Sequence, residues 1–251
     1  MKIGYSLLLL LCPGSILYAN DSSALRRISD NILLHGACYE NLRTLCKDVG
    51  HRLSGSPQAE AAVAWGAQAL KDAGADTVWL QPVYVPRWVR GKESLQFRAG
   101  KSGGYRDIPV LSLGNSEGTD GRVLEAPVVM VHSFDELDQL PEAAVKGKVV
   151  FYNYRFRQDF VTTFHGYSDA VKYRSQGPNR ASAKGAAAVI IRSVSTAQDD
   201  VPHTGMTAYA DSIRPIPAVA VGNVTADELE AACKKGAAYI RLQSECRMKE
   251  P

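Results

Sequence analysis

Between residues 128 and 242, short apolar runs alternate with segments of helical character: "VVMV" (128–131), "KVVFYN" (148–153), "AAVII" (187–191), "IPAVAV" (216–221) and "AAYIRL" (237–242). Runs of this length rich in β-branched and aromatic residues read as strands, and strands alternating with helices define an α/β fold. Two of the intervening helices open on capping boxes, Ser133 with Glu136 and Thr225 with Glu228, and the second stops at Gly236. A further helix is expected between Ser168 and Gly185. The last run alternates Ala238, Ile240 and Leu242 with Tyr239, Arg241 and Gln243, giving one apolar and one polar face. Residues 117–246 are therefore expected to form a compact β-rich α/β domain that closes its own core. The Gly/Ser-rich "LGNSEGTDG" (113–121) marks its start.

Residues 20–116 follow a different pattern. Leu25, Ile28 and Ile32 repeat at helical spacing, as do Tyr39, Leu42, Leu45, Cys46 and Val49, with Gly36 a break and Gly50 a stop. A second helix has Ser56 as N-cap, Pro57 at its first position, Glu60 in its first turn and Gly74 at its end. The stretch "TVWLQPVYVPRW" is β-rich, but Pro82 and Pro86 confine it to an edge or a bulge. Two amphipathic helices and one or two proline-bearing strands cannot cover each other's apolar faces. This segment is expected to be part of something larger, and residues 247–251 a tail leading out of the second domain.

The extreme N-terminus reads as an export signal. Lys2 precedes the apolar Leu7–Leu11, and a second apolar patch ends at the small residue Ala19. Cleavage after Ala19 is expected, leaving a secreted or periplasmic protein; the stretch is too short and interrupted for a membrane span. Cys12 is not read as a lipid anchor, because Leu11 before it is not small. Four cysteines then remain, Cys38, Cys46, Cys233 and Cys246, which permit three pairings that the sequence leaves open. Cys38 and Cys46 would stand roughly 12 Å apart on one helix, too far to bridge there. All four read as small buried apolar residues.

Composition excludes some partners. The chain of 251 residues is 45% hydrophobic and 22% charged, ordinary for folded domains. Its net charge of +3 is small, and basic residues such as Arg87, Arg90, Arg155 and Arg180 are scattered rather than clustered. No nucleic-acid partner is indicated.

One motif raises the question of a metal. "QDDVPHTGM" (198–206) sets Asp199 and Asp200 close to His203, and carboxylate and imidazole are zinc ligand types. The histidines His35, His51, His132, His165 and His203 show no HxH, HxD or HExxH spacing, however. Asp199 and Asp200 sit in a polar loop, where solvated carboxylates are the default. There is no GxSxG and no GxGxxG, and "GKSGG" (100–104) lacks the frame of a phosphate cradle. The residues themselves provide neither a catalytic group nor a metal ligand.

The segments "HRLSGSPQAEAAVAWGAQALKDAG", "VPRWVRGKES", "SFDEL", "GKVVFYN", "YRSQGPNRASAKGAAAVIIRSV" and "PHTGMTAY" followed by "IPAVAV" resemble, in this order and spacing, a known family. They are similar to the N-terminal half of the carboxypeptidase Q (plasma glutamate carboxypeptidase) group, secreted di-zinc exopeptidases related to bacterial aminopeptidases. The resemblance runs from about residue 38 to 246 and implies an incomplete zinc-peptidase α/β scaffold followed by a protease-associated domain. That domain is inserted into the scaffold and lies over the cleft. In the complete enzyme, zinc-bound hydroxide attacks a peptide carbonyl, and a glutamate moves the proton. The family's zinc ligands and this glutamate follow the inserted domain, starting from a His-x-Asp motif that does not occur here. The resemblance thus implies two zinc ions and a small-peptide substrate for the complete enzyme. By itself this chain is expected to bind no zinc and to be inactive. "DDVPHTG" becomes a loop of the inserted domain, and His203, Thr204 and Tyr209 become candidates to line the cleft. The alternative, from another class, is a stand-alone protease-associated domain that captures a peptide or protein. Oligomeric state and amino- versus carboxypeptidase specificity are not legible.

Overall fold

The computed structural model describes residues 21–249. The export signal read at residues 1–19 lies outside them. Two compact units divide the chain at His51 and Arg52.

The first unit is helical. Helix α1 (Asp21–His35) and helix α2 (Cys38–Thr44) are separated at Gly36, as expected, and a π-turn (Leu45–Val49) follows. A side chain on Gly36 would run into the Ile32 carbonyl. None of these elements buries a residue, and the stripe of Leu25, Ile28 and Ile32 is exposed.

The second unit opens with helix α3 (Pro57–Asp72). It begins where the sequence places it: the Ser56 hydroxyl accepts from Ala59 N at 3.1 Å. It ends at Gly74, whose φ of 91° favours glycine. The β-rich stretch 77–88 is corrected by the structure. Only Arg87–Val89 (β1) is a strand, and Trp79, Leu80, Val83 and Tyr84 are exposed. Pro82 and Pro86 lack the N–H that a ladder needs, and residues 77–86 pair with no strand among the described residues.

Strands β2 (Glu93–Ala99), β3 (Arg106–Ile108) and β4 (Leu111–Ser112) follow. Next come β5 (Leu124–Val131), helices α4 (Phe134–Gln139) and α5 (Glu142–Val145), and β6 (Val149–Tyr152). Helices α6 (Thr163–Ser175) and α7 (Gly177–Ala183) precede β7 (Ala188–Arg192) and β8 (Ala218–Val221). Helix α8 (Asn223–Lys234) leads to β9 (Ala238–Ser244) and β10 (Arg247–Lys249). Every apolar run of the 128–242 pattern is a strand, and the fold class is α/β. The segment expected as a tail after 246 pairs instead with β1, Arg87 opposite Lys249.

An eight-stranded mixed sheet in the order β3-β2-β9-β5-β6-β7-β8-β4 organises this unit. Strands β5 to β8 are parallel. Strand β5 changes partner along its length: Leu124–Pro127 pair antiparallel with β9, and Val128–Val131 pair parallel with β6. Every residue of β6, β7 and β8 is buried, which is why those runs are apolar rather than alternating up to the buried Arg192 that ends β7. Successive residues feed opposite faces. Val149, Phe151, Ile190, Val219 and Val221 pack under α8 with Leu229, Ile240 and Leu242. Val150, Tyr152, Val189 and Ile191 pack with Leu137, Val145 and Tyr173 from the helices of the other side.

Both cores draw on residues before 117, contrary to the expectation that residues 117–246 close a core alone. Leu95, Phe97 and Ile108 belong to the first core and Leu113 to the second. The reason is long-range pairing. β2 lies along the whole of β9, from Glu93 opposite Ser244 to Ala99 opposite Ala238, so the sheet crosses the boundary expected near 117.

Candidate functional site

In open α/β sheets the carboxyl ends of the parallel strands are where ligands bind. Here that position is filled by the protein's own groups. Arg192, at the end of β7, has a side chain only 2% exposed. Its Nε donates to Asn153 Oδ1 at 2.6 Å, one terminal nitrogen donates to Asn223 Oδ1 at 3.3 Å, and the other pairs with Asp227. Arg155 reaches Asp227 and Glu230, each at 2.7 Å. Burial lowers the Arg192 pKa, and the Asp227 hydrogen bond opposes that. The Lys234 ammonium, against burial and together with Asn153 and Arg155, holds Glu230 at about 2. Each charge in this network has a partner, and it is a structural clasp between β6, β7 and α8.

The loop from Ser193 to Pro217 contains the "DDVPHTGM" motif, and hydrogen bonds pin most of it. Asp200 caps α8 from outside: Thr225 N donates to Oδ1 at 3.0 Å and the Thr225 hydroxyl to Oδ2 at 2.9 Å. Val224 N donates to the Asp199 carbonyl at 3.1 Å. Gly222 is required beneath this cap, because a side chain there would collide with the Asp200 backbone. The capping box read at Thr225 and Glu228 is thereby corrected. The helix begins earlier, after Gly222, and Thr225 is a donor to Asp200 rather than the N-cap.

The three residues expected to line a cleft have different surroundings. His203 is half-buried, and its backbone N donates to Ser193 Oγ at 2.8 Å. Thr204 Oγ1 donates to the Ser112 carbonyl at 2.7 Å. Tyr209 donates its hydroxyl to the Ile216 carbonyl at 2.9 Å and clamps the base of the loop; burial pushes its pKa up to about 12. Between them, Gly205 rests against the guanidinium of Arg174, which a side chain at that position would displace, and Arg174 donates to the Tyr167 hydroxyl at 2.6 Å. Gly114 N donates to Gly205 O at 2.8 Å, and Thr207 N returns a bond to Gly114 O at 2.9 Å.

This bracing shapes a cavity of about 450 Å³. Its apolar walls are Leu53, Val85, Pro86, Trp88 and Met206; Arg90, Asn115 and Thr204 supply polar groups. Of the three sequence candidates Thr204 lines it, while His203 and Tyr209 are not among its lining residues. Trp88 and Arg90, quoted in the sequence only as part of "VPRWVRGKES", were missed as site residues. The signal available was an aromatic and a cation two positions apart, Trp88 in β1 and Arg90 just past its end, a spacing that in extended chain puts both on one face.

The residues do not fit a zinc site. Among the described residues, no group of three or more His, Cys, Asp and Glu side chains could hold a metal ion. Both carboxylate oxygens of Asp200 are taken by α8, and Asp199 Oδ1 accepts from Val201 N at 3.1 Å. The cysteines Cys38 and Cys46 are exposed, correcting the expectation that all four are buried; Cys233 is half-buried, Cys246 is buried and none is paired. No helix among the described residues is long and apolar enough to cross a membrane.

A measurement separates a cap from a metal ligand. Asp200→Ala is expected to cost about 1 kcal/mol of stability through the lost cap, and zinc is expected to leave Tm unchanged in both proteins. A tight site at a thousandfold excess of zinc would add roughly 4 kcal/mol. A zinc-dependent rise in Tm that disappears in His203→Ala would contradict this reading.

The fold is that of a peptidase. A crystal structure of a peptidase M28 precursor from Shewanella amazonensis SB2B superposes with a TM-score of 0.81 at 29% identity, covering 91% of this chain and 51% of that one. An aminopeptidase from Aneurinibacillus sp. strain AM-1 shares the fold, with a TM-score of 0.53 at 18% identity over 84% of this chain and 44% of that one. In sequence, the chain is homologous to carboxypeptidase Q. It is 37% identical to the Homo sapiens protein over 210 residues, 84% of this chain and 41% of the relative. It is 34% identical to the Pongo abelii protein over 260 residues, 96% of this chain and 52% of the relative. The chain thus spans about half the length of the curated relatives it matches. No family model matches it.

Proposed function

We propose that this chain is the N-terminal portion of an exported, zinc-dependent exopeptidase that acts on small peptides. Residues 1–19 direct export, residues 20–86 begin the peptidase scaffold, and the sheet-bearing part from Arg87 onward is a protease-associated domain over the cleft. The observation that carries this reading is the agreement of the sequence and fold comparisons. Sequence similarity to human carboxypeptidase Q covers 84% of the chain and 41% of that protein, and the fold similarity to the M28 peptidase covers 91% and 51%. Both align nearly all of this chain with about half of a peptidase. The donor groups of the described residues do not make a metal site, so in this reading two zinc ions are held by the remainder of the enzyme. This part supplies scaffold and cleft wall, with Thr204 at the wall, Tyr209 clamping its loop and His203 beside it.

Reading the messenger RNA beyond the codon for Pro251 tests this. A continuation carrying a His-x-Asp motif is the expected result. A stop at that point, with peptide capture by the purified chain, would overturn it in favour of a stand-alone binding module.

A further inference from the structure

We propose that the cavity beside Trp88 binds the carboxylate end of a small apolar molecule through Arg90; in the enzyme this would be the free C-terminus of a short peptide. The identification of the occupant as a peptide rests on the peptidase reading above; the carboxylate chemistry rests on the cavity. Its volume of about 450 Å³ falls within the roughly 300–1,000 Å³ of small-molecule sites. Most of its side chains are apolar, and Arg90 is the charged side chain among them.

Arg90 is held in place and lacks a counter-charge. One of its terminal nitrogens donates to the Ser112 carbonyl at 3.2 Å, and the guanidinium lies 5.4 Å from the centre of the Trp88 ring. No carboxylate of the described residues comes within ion-pair distance of it. Glu93, three residues on, accepts instead from Ser112 N at 2.8 Å. Thr204 Oγ1 shares the Ser112 carbonyl at 2.7 Å, which brings a second polar group to the same wall. A guanidinium has five N–H donors in a fork that matches a carboxylate. The contrast with Arg192 is instructive: the structural arginine is ringed by Asn153, Asn223 and Asp227. Arg90 faces apolar walls with donors to spare, an arrangement that favours a monovalent anion joined to an apolar group. A single cation among apolar side chains suits a carboxylate better than a doubly charged phosphate.

The test uses the whole chain and two probes, N-acetyl-L-leucine and N-acetyl-L-leucinamide, with the Trp88 indole N–H resonance as the readout. The acid is expected to bind about tenfold tighter than the amide. That preference should vanish in Arg90→Gln and survive in part in Arg90→Lys. Should Arg90→Gln fold poorly, Met206→Glu gives the same test from an exposed position, by supplying Arg90 with a carboxylate that excludes the acid. Equal binding of acid and amide, no binding of either, or an acid preference that persists in the folded variants would overturn the proposal. None of these outcomes bears on hydrolysis by the complete enzyme, so they leave the peptidase reading standing.

Discussion

Replacing Arg192 with leucine is expected to lower stability by about 3–5 kcal/mol, whereas replacing Lys146 with glutamine should change it by less than about 1 kcal/mol. Lys146 pairs with Glu142 at 3.9 Å in full view of solvent. Arg192 instead satisfies Asn153, Asn223 and Asp227 inside the junction of β6, β7 and α8. Its loss strands the buried oxygens of Asn153 and Asn223, which costs the desolvation of each, and leaves the part-exposed Asp227 to Arg155 alone. For a unit of this size the change should appear as a fall in Tm of roughly 10 °C. The pH dependence has a definite sign. Burial raises the Asp227 pKa, but Arg192 and Arg155 outweigh it and hold it below the usual range. Glu230 is held at about 2. Carboxylates lowered in the folded state stabilise it at pH values above their unfolded value, about 4, and that stability is lost as pH falls towards 2. Between pH 5 and pH 2.5 the native protein should therefore lose more stability than Arg192→Leu does. Equal losses would assign the acid sensitivity to other carboxylates.

A fragment of residues 87–249 is expected to unfold cooperatively, and one of residues 117–246 to lack a cooperative transition. Cutting at 117 removes Leu95, Phe97, Ile108 and Leu113 from the cores and strips β9 of its longest partner. At roughly 1.5–3 kcal/mol for each buried side chain, the loss is about 6–12 kcal/mol. That is comparable with the entire stability of a typical domain, about 5–15 kcal/mol. The longer fragment keeps these residues, the β1–β10 pair and the bond from Trp88 Nε1 to the Ser116 carbonyl at 2.9 Å. Thermal unfolding followed by circular dichroism distinguishes the two. A sharp transition in the shorter fragment would mean that β2 and β3 are accessory to the fold.

What could be read from the sequence was local. Strands β6, β7 and β8 announce themselves because burial on both faces makes almost every residue apolar, Arg192 at the end of β7 being the charged exception. Helix α3 is legible at both ends, since Ser56, Pro57 and Gly74 are each required by the backbone where they stand. The misses were long-range. β2 reads weakly because its partner β9 lies some 145 residues further on. Asp200 reads as a solvated loop carboxylate because nothing nearby in sequence shows that α8 begins against it, 23 residues later. The cavity joins Trp88 and Arg90 to Thr204 and Met206, residues that only the finished sheet brings together. Chemistry-bearing residue types in a loop thus served the fold, while Trp88 and Arg90 of "RWVR" line the cavity.

Hydrolysis of an unblocked dipeptide tests the central claim most directly. The 251-residue chain, supplied with zinc, is compared with the same chain extended through its natural continuation. The account predicts turnover by the extended protein and none above buffer by the chain alone. Zinc-dependent turnover by the chain alone, abolished by His203→Ala, would contradict it.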